Sequence, residues 1–526
     1  MYFNDLPDDI TLMVLENCMD KSADLHVWKN SLVYLKVCRQ WSKLAVPIVY
    51  RNVVVNVGVS PITQTECAER VVSNASIVVS RNTQHVVKHV HVEIDYLQHP
   101  FYKLMAALEM LNENNVWKNV CTLTIELDRM DHDESMHLQY LPPAELEPKI
   151  SETVFRLLPS LENISLANTD DNVFICSMYS NLVQNYFPKI CSLASQHPLR
   201  FSMQQLPNTL TWLDITLQDD VHKYIPQVCA GSLKFLRMTN VPQNYMWDCF
   251  GMHMCIEFDC LETLHIEYQY NISDQPMDIK CCTPSTFRMR FFKLQSLYIS
   301  ECSGHCCLLE CSMFMVPLQT VDVQGSSNAV RALSHMRMPK IQVLKLGVNR
   351  LESTTGSELT AHMARVFKNA SAQKTEFYAT AKYVHFDTNL LSCPSLSSIS
   401  IHMPTDAAWL IELIKKFTCL EYVALENMVF NNIPKEACNV RSGKYITEYL
   451  EPVDTRIYYM RLKHSSDFYT VREARVFMQY VVLLVPSLQV LATVVDTIHE
   501  ICDVVNDYMP FYPHLRNIEF CNVNDE

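Results

Sequence analysis

The sequence predicts an α/β chain in which a short helical module is followed by a long solenoid of parallel strands backed by helices. Three observations predict it. Residues 1–24 carry six acids and one lysine, and residues 28–51 carry five basic residues and no acid, with apolar residues at helical spacing in both. From Asn52 the pattern changes to a strand-like run, NVVVNVGV. A three-part apolar phrase then recurs through the rest of the chain.

The front module begins at Asp5-Leu6-Pro7-Asp8-Asp9. Pro7 suits the first helical position, because its missing N–H would be unpaired there. Asp8 and Asp9 then lie where the helix dipole favours negative charge. Ile10, Met13, Val14 and Asn17 follow at helical spacing, with Leu12 and Leu15 broadening the apolar face. A second periodic run, Leu32, Leu35, Cys38, Trp41 and Leu44, predicts a helix that Pro47 ends.

In the recurring phrase an apolar residue is followed three and five positions later by two more. Clear copies are Leu161-Ile164-Leu166, Leu233-Leu236-Met238, Leu261-Leu264-Ile266, Leu294-Leu297-Ile299, Leu318-Val321-Val323 and Ile341-Leu344-Leu346. Later ones are Leu396-Ile399-Ile401, Leu420-Val423-Leu425, Leu488-Leu491 and Leu515-Ile518-Phe520. Weaker ones are Val87-Val90-Val92, Val120-Leu123-Ile125, Leu210-Leu213-Ile215 and Ile457-Met460-Leu462. First positions from Leu210 are 23, 28, 33, 24 and 23 residues apart. The shorter steps fall in the ~20–29-residue window of leucine-rich repeats, and the longer ones imply insertions. Amphipathic stretches at 102–113 and 406–418 sit just before a phrase, so each unit reads as helix, turn and short strand. One unit cannot bury both its strand and its helix, so neighbours must stack into a curved parallel sheet, a horseshoe backed by helices. Residues 53–526 are thus predicted to be one irregular leucine-rich-repeat domain, with a loop insertion over Asn431 to Asp454. A non-repeating α/β domain is the alternative, and fourteen recurrences weigh against it.

Taken in order, Leu6-Pro7-x-Asp9-Ile10, Val14-Leu15 and Val37-Cys38-Arg39-x-Trp41-x-x-Leu44-Ala45-x-Pro47-x-x-Tyr50-Arg51 resemble the F-box. The match runs from Leu6 to Arg51, with Asp9 where glutamate is commoner and a more polar connector over Leu25 to Ser31. The resemblance implies that residues 1–52 are a three-helix module docking onto the Skp-type adaptor of a cullin–RING ubiquitin ligase. Leu6, Pro7, Asp9, Ile10, Val14 and Leu15 would then supply the first helix and its adaptor contacts, and Val37, Cys38, Trp41 and Leu44 the later helices. Leu6 and Pro7 fit the interface, and Trp41 fits the module's own core equally well. The basic stretch would face an adaptor that is itself acidic in this family. The implied role is substrate receptor of an SCF-type ligase, with a protein target held on the repeats. Side chains alternating outward on the strands, such as Glu262, His265, Tyr298, Asp322 and Lys345, are the candidates for target contact, or else simply a solvated face. The alternative for the front is a helical cap on a non-ligase scaffold, since solenoid ends need covering.

Composition excludes several other classes. The net charge of −14 argues against general nucleic-acid binding, which needs a basic face. The eight glycines form no GxGxxG. Gly443-Lys444 has Cys438 where a P-loop needs its first glycine, and neither GxSxG nor HExxH occurs; after His499-Glu500, Asp503 stands where the second histidine belongs. The chain therefore reads as non-catalytic and without a cofactor. Cys249, Cys255, Cys260, Cys281, Cys282, Cys302, Cys306, Cys307 and Cys311 cluster with His253, His265 and His305. Zinc usually takes short-spaced ligand pairs and no CxxC occurs here, so buried thiols without metal are the favoured reading over a zinc site. MYFNDLPDD lacks the basic start of a secretory signal. Residues 476–495 carry no charge but contain Gln479, Pro486, Ser487 and Gln489, which reads as a buried helix, a turn and a strand rather than a membrane span. The 21 cysteines then suit the reducing cytoplasm or nucleus.

Overall fold

The structure is a computed structural model of the chain. It describes residues 7–18, 25–60, 68–95, 100–112, 117–128, 146–167, 182, 190–195, 209–217, 229–241, 255–269, 288–302, 309, 312–315, 318–336, 338, 340–350, 356–370, 372–379, 396–402, 405–429, 452–464, 477, 480–494 and 517–520. By its contacts the chain divides into two compact units, one chiefly Met1–Val241 and the other chiefly Glu262–Glu526. The boundary expected at residue 52 does not coincide with this division. Both units are mixed α/β with a mostly parallel sheet, an architecture compatible with a repeat solenoid.

The first unit opens with α1 (Asp8–Cys18), α2 (Leu25–Ser31), a 3-10 segment over Leu32–Lys36 and α3 (Arg39–Val49). Pro7 stands one residue earlier than expected, as the cap whose carbonyl accepts the Thr11 N–H at 2.9 Å, with Asp8 and Asp9 in the first turn. The run from Leu32 to Leu44 is not one helix. Its strict three-residue spacing suits the 3-10 segment. Cys38 then turns extended and caps α3, its Sγ accepting from the Trp41 N–H at 3.5 Å. Pro47 does not end α3, which runs to Val49. A proline in the last turn forgoes its own N–H, while the Tyr50 N–H still reaches the Val46 carbonyl at 3.1 Å. Trp28 ties the module together: buried, it donates from Nε1 to the Val49 carbonyl at 2.8 Å and its ring lies 6.4 Å from that of Tyr50.

The strands of this unit are β1 (Asn52–Ser60), β2 (Ala68–Ser73), β3 (His89–Asp95), β4 (Thr122–Asp128), β5 (Asn163–Ala167), β6 (Ser192–Ser195), β7 (Trp212–Thr216) and β8 (Phe235–Val241). They pair in the order β2-β1-β3-β4-β5-β6-β7-β8, and only β2 runs antiparallel to its neighbour. The helices α4 (Ala75–Ser80), α5 (Pro100–Asn112) and α6 (Leu146–Leu157) lie between strands in sequence.

In the second unit β9 (Cys255–Phe258), β10 (Thr263–Tyr268), β11 (Arg288–Phe291), β12 (Ser296–Cys302), β13 (Ser312–Phe314) and β14 (Thr320–Ser326) precede α7 (Ser327–Ser334). Then come β15 (Val343–Arg350), α8 (Gly356–Asn369), β16 (Lys374–Ala379), β17 (Ser398–Ile401), β18 (Thr405–Asp406), α9 (Ala407–Lys416), β19 (Tyr422–Val429), β20 (Tyr459–His464), β21 (Val490–Val494) and β22 (Asn517–Phe520). The main sheet is parallel in the order β10-β12-β14-β15-β16-β17-β19-β20-β21-β22, with β18 beside β19. Helices α7, α8 and α9 precede a strand as the repeat pattern predicts. Before β10, β12 and β14 a short strand stands where a helix was expected, and β9, β11 and β13 form a second parallel sheet. Their alternation explains it: Ile256, Phe258, Met289 and Phe291 are buried while Glu257 and Arg290 pair outside at 2.8 Å. The rings of Phe258, Phe291 and Phe314 stack at 5.1 and 5.5 Å.

The phrase maps onto register. Leu264, Leu297, Val321, Leu344, Thr375, Ile399, Val423, Met460, Leu491 and Ile518 are successive cross-strand partners. In the first unit Val53, Val90, Leu123, Ile164, Leu193, Leu213 and Leu236 form the equivalent row. Two repeats escaped the sequence pattern: Ile190-Leu193-Ser195 and Ala372-Thr375-Phe377 are fully inside, with Ser195 and Thr375 where the other repeats carry aliphatic side chains. Residues 480–484 are helical, Pro486 and Ser487 turn, and β21 follows, as read from the sequence. Of residues 431–454, where the loop insertion was expected, only 452–454 lie in the described part. Among the described residues no helix is long and apolar enough to cross a membrane.

Thr375 offers a test of this register. Its buried Oγ1 has no hydrogen-bond partner, between Leu344 and Ile399 in the aliphatic row. Thr375→Val keeps the shape and removes an unsatisfied hydroxyl, so it should raise stability by about 1 kcal/mol, whereas Leu344→Ala should lower it by about 2–5 kcal/mol. Urea unfolding of the two variants beside wild type reads both signs.

Candidate protein-docking surfaces

Two surfaces carry the side chains that chemistry could use. The first is the front module. Of its predicted contact residues, Leu15 and Trp41 are buried and pack the helices, and Trp41 stacks 6.4 Å from Tyr34. Val14, Cys38 and Leu44 are half-buried, and Pro7 and Asp9 exposed. Leu6 lies outside the described residues. Ile10 and Val37 are 38 % and 53 % exposed, joined by Met13 at 54 % and Val33 at 57 %, which the sequence reading had not singled out. Ile10 and Met13 share one face of α1, three residues apart. Lys29, Lys36, Arg39, Lys43 and Arg51 of the same segment are all exposed. Gln40 donates to the Asp8 carboxylate at 2.8 Å, fastening α3 to the start of α1. The module thus presents apolar side chains set among cations, with its own core filled by other residues.

The second surface is the polar face of the sheets, opposite the buried rows. In the second unit His265, Tyr298, Asp322 and Lys345 form one cross-strand row, which continues to Glu376. Glu262 sits outside it, exposed in the turn before β10, where its carbonyl accepts the Gln295 N–H at 2.9 Å. The His265 and Tyr298 rings are 5.6 Å apart. Lys345 and Glu376 pair at 2.6 Å, and His402 reaches Glu376 at 3.5 Å. The hydrogen bond it donates to the Glu376 carboxylate holds the Lys345 ammonium above its ordinary pKa. Burial raises the Asp322 carboxyl, against the Gln324 hydrogen bond and the Lys345 charge. Further along, Tyr422 and Tyr459 stack at 5.0 Å and Arg461 pairs with Glu426 at 3.3 Å. Glu376 was missed because β16 lacks the full apolar phrase that would have marked its outward positions.

The first unit has its own polar face. His91 meets Glu126 at 3.2 Å, Asn56 donates to Glu93 at 2.9 Å, and Arg51 Nε donates to His89 Nε2 at 3.2 Å. On β7 and β8, Trp212 stacks on Phe235 at 3.6 Å beside Asp214 and Arg237. Among the described residues no three His, Cys, Asp or Glu side chains gather to hold a metal ion. Of the cysteine cluster, only Cys255, Cys260 and Cys302 are described. Elsewhere the buried Cys229 thiol is pushed up to about 11 by burial, which keeps it protonated and inert. What these surfaces offer is binding chemistry: aromatic platforms, ion pairs and exposed apolar anchors.

The histidines give the fold an acid-sensitive side. Burial lowers His91 below 6.5 despite Glu126, and burial with the Arg51 and Lys88 charges lowers His89. As pH falls the unfolded chain therefore takes up these two protons before the folded chain does. Their contribution to stability is present above about pH 6.5 and is lost as pH falls through their lowered folded values. Urea midpoints should drop between about pH 7.5 and pH 5.5, and a His89→Gln/His91→Gln variant should show a shallower drop. A scan against models of protein families finds no match for this sequence, and a search of curated proteins finds no relative.

Proposed function

We propose that the chain is a substrate receptor of an SCF-type ubiquitin ligase: an F-box followed by leucine-rich repeats. The observation that carries this reading is the ordered motif from Leu6 to Arg51, whose described part is largely helical and leaves Ile10, Met13, Val33 and Val37 exposed on a segment with five exposed cations. An acidic Skp-type adaptor with an apolar groove would cover that surface. The registered strand array behind it supports the repeat reading, since every phrase with described residues falls on a strand. In this role the chain performs no bond chemistry and takes no cofactor. It holds a protein target near a ubiquitin-loaded enzyme carried by the cullin–RING assembly, and the rate gain is one of effective concentration. Such a receptor works in the cytoplasm or nucleus, away from membranes and nucleic acid.

Co-purification of the full chain with a Skp-type adaptor tests it. Wild type should form a stoichiometric complex. Ile10→Asp/Val37→Asp, which changes exposed positions only, should lose it with an unchanged melting temperature, and Leu6→Ala/Pro7→Ala should weaken it. A folded wild-type chain that does not bind the adaptor would overturn the proposal and leave the front helices as the cap of a scaffold protein.

A further inference from the structure

Most charged pairs on the polar faces satisfy one another. Lys345 and Glu376 at 2.6 Å, and Arg290 and Glu257 at 2.8 Å, have little left to offer a partner. The pair on β7 and β8 is different. Arg237 Nη1 and Asp214 Oδ2 stand 3.8 Å apart, beyond hydrogen-bonding length. Among the described residues the guanidinium has no other acceptor, and its Nε is buried and unpaired. Asp214 is half-buried, and burial raises its pKa against the opposing effect of Arg237.

The surroundings add apolar grip. Trp212 and Asp214 alternate on β7, and Phe235 and Arg237 are their cross-strand partners on β8. Trp212 is 43 % exposed even though one face of its indole is stacked on Phe235. On the other side, the register partners of Trp212 and Asp214 are Ser192 and Ala194, which are too short to cover them. No hydrogen bond from the indole N–H engages a protein acceptor among the described residues. A tryptophan and an arginine side by side, both with unused donors and both a third or more exposed, have the composition of an interface hot spot.

From this we infer that the outward face of β7 and β8 binds an extended acidic segment of a protein partner, with a carboxylate on Arg237 and an aromatic or proline side chain on Trp212. The sign follows from the charges. Among the described residues Arg237 meets one carboxylate, Asp214, Lys234 just before β8 is exposed, and the unengaged groups are mainly donors. The guanidinium fork suits a carboxylate in two-point contact. The inference deepens the receptor reading only in taking the sheet face as the docking side, and it does not require the adaptor.

Short fluorescein-labelled peptides of one design test it: a Phe and a Pro flanked by Glu, the same peptide with Gln for Glu, and the same with Lys for Glu. Anisotropy with the full chain should rank Glu above Gln above Lys. Trp212→Ala should weaken the acidic peptide about tenfold or more, as loss of a central aromatic anchor does. Arg237→Glu should reverse the charge preference toward the Lys peptide, which mere structural damage would not do. Adaptor co-purification and melting temperature of both variants should match wild type, which keeps this site separate from the front module. Absence of binding, equal binding of all three peptides, variants that bind like wild type, or tighter binding of a single-stranded oligonucleotide would each overturn the inference. If the acidic peptide binds while the adaptor does not, the docking site stands and the ligase role falls.

Discussion

The structure depends on the register of neighbouring parallel strands. Along the main sheets alternate strand positions point inward and meet their counterparts on the next strand, as in Leu264, Leu297, Val321 and Leu344, then Ile266, Ile299, Val323 and Leu346. A slip by one residue would expose both rows at once, because the side-chain period of a strand is two. The turn residue before each strand extends the constraint through the backbone: Gln319 N–H donates to Gln295, Gln342 to Gln319 and Gln373 to Gln342, at 2.7–3.1 Å. No single strand could hold such a row against water, so each depends on its neighbours.

This division of labour frees the other face. Outward positions need only avoid bulk and unpaired charge, and the residues there vary from Ser400 and Ala194 to Tyr298, Lys345 and Trp212. Exposed ion pairs contribute little to stability, typically 0–1 kcal/mol. A pair such as Arg290–Glu257 therefore serves mainly to neutralise the face and set its pattern. Against that background the loosely matched Asp214 and Arg237, beside an exposed indole, stand out as chemistry left open to a partner.

The front helices follow a different economy. Their interior is closed by Leu15, Trp28, Trp41, Ala45 and Val49, so the apolar side chains left outside are surplus to the module's own packing. Isolated exposed aliphatics are ordinary on protein surfaces. Four of them lie on a segment of some thirty residues that also carries five exposed cations, and two of the four, Ile10 and Val37, belong to the ordered motif.

By itself the sequence determined the α/β class and the places of most strands, because an apolar phrase of fixed spacing is a direct image of which side chains must be buried. It also marked the outward row of His265, Tyr298, Asp322 and Lys345, since alternation is local. The tertiary structure decided what local pattern cannot encode. Ser195 and Thr375 are interior only because the strands on either side are apolar, so β6 and β16 were invisible, and Glu376 with them. Three repeats exchanged a helix for a strand because Phe258, Phe291 and Phe314 find one another across the stack. Val37 and Trp41 belong to one motif with similar hydropathic claims to burial, yet one is outside and the other inside, because Cys38 breaks the helix between them. The pairing of Trp212 with Phe235, twenty-three residues away, is likewise fixed by register, and only the folded sheet brings them to 3.6 Å.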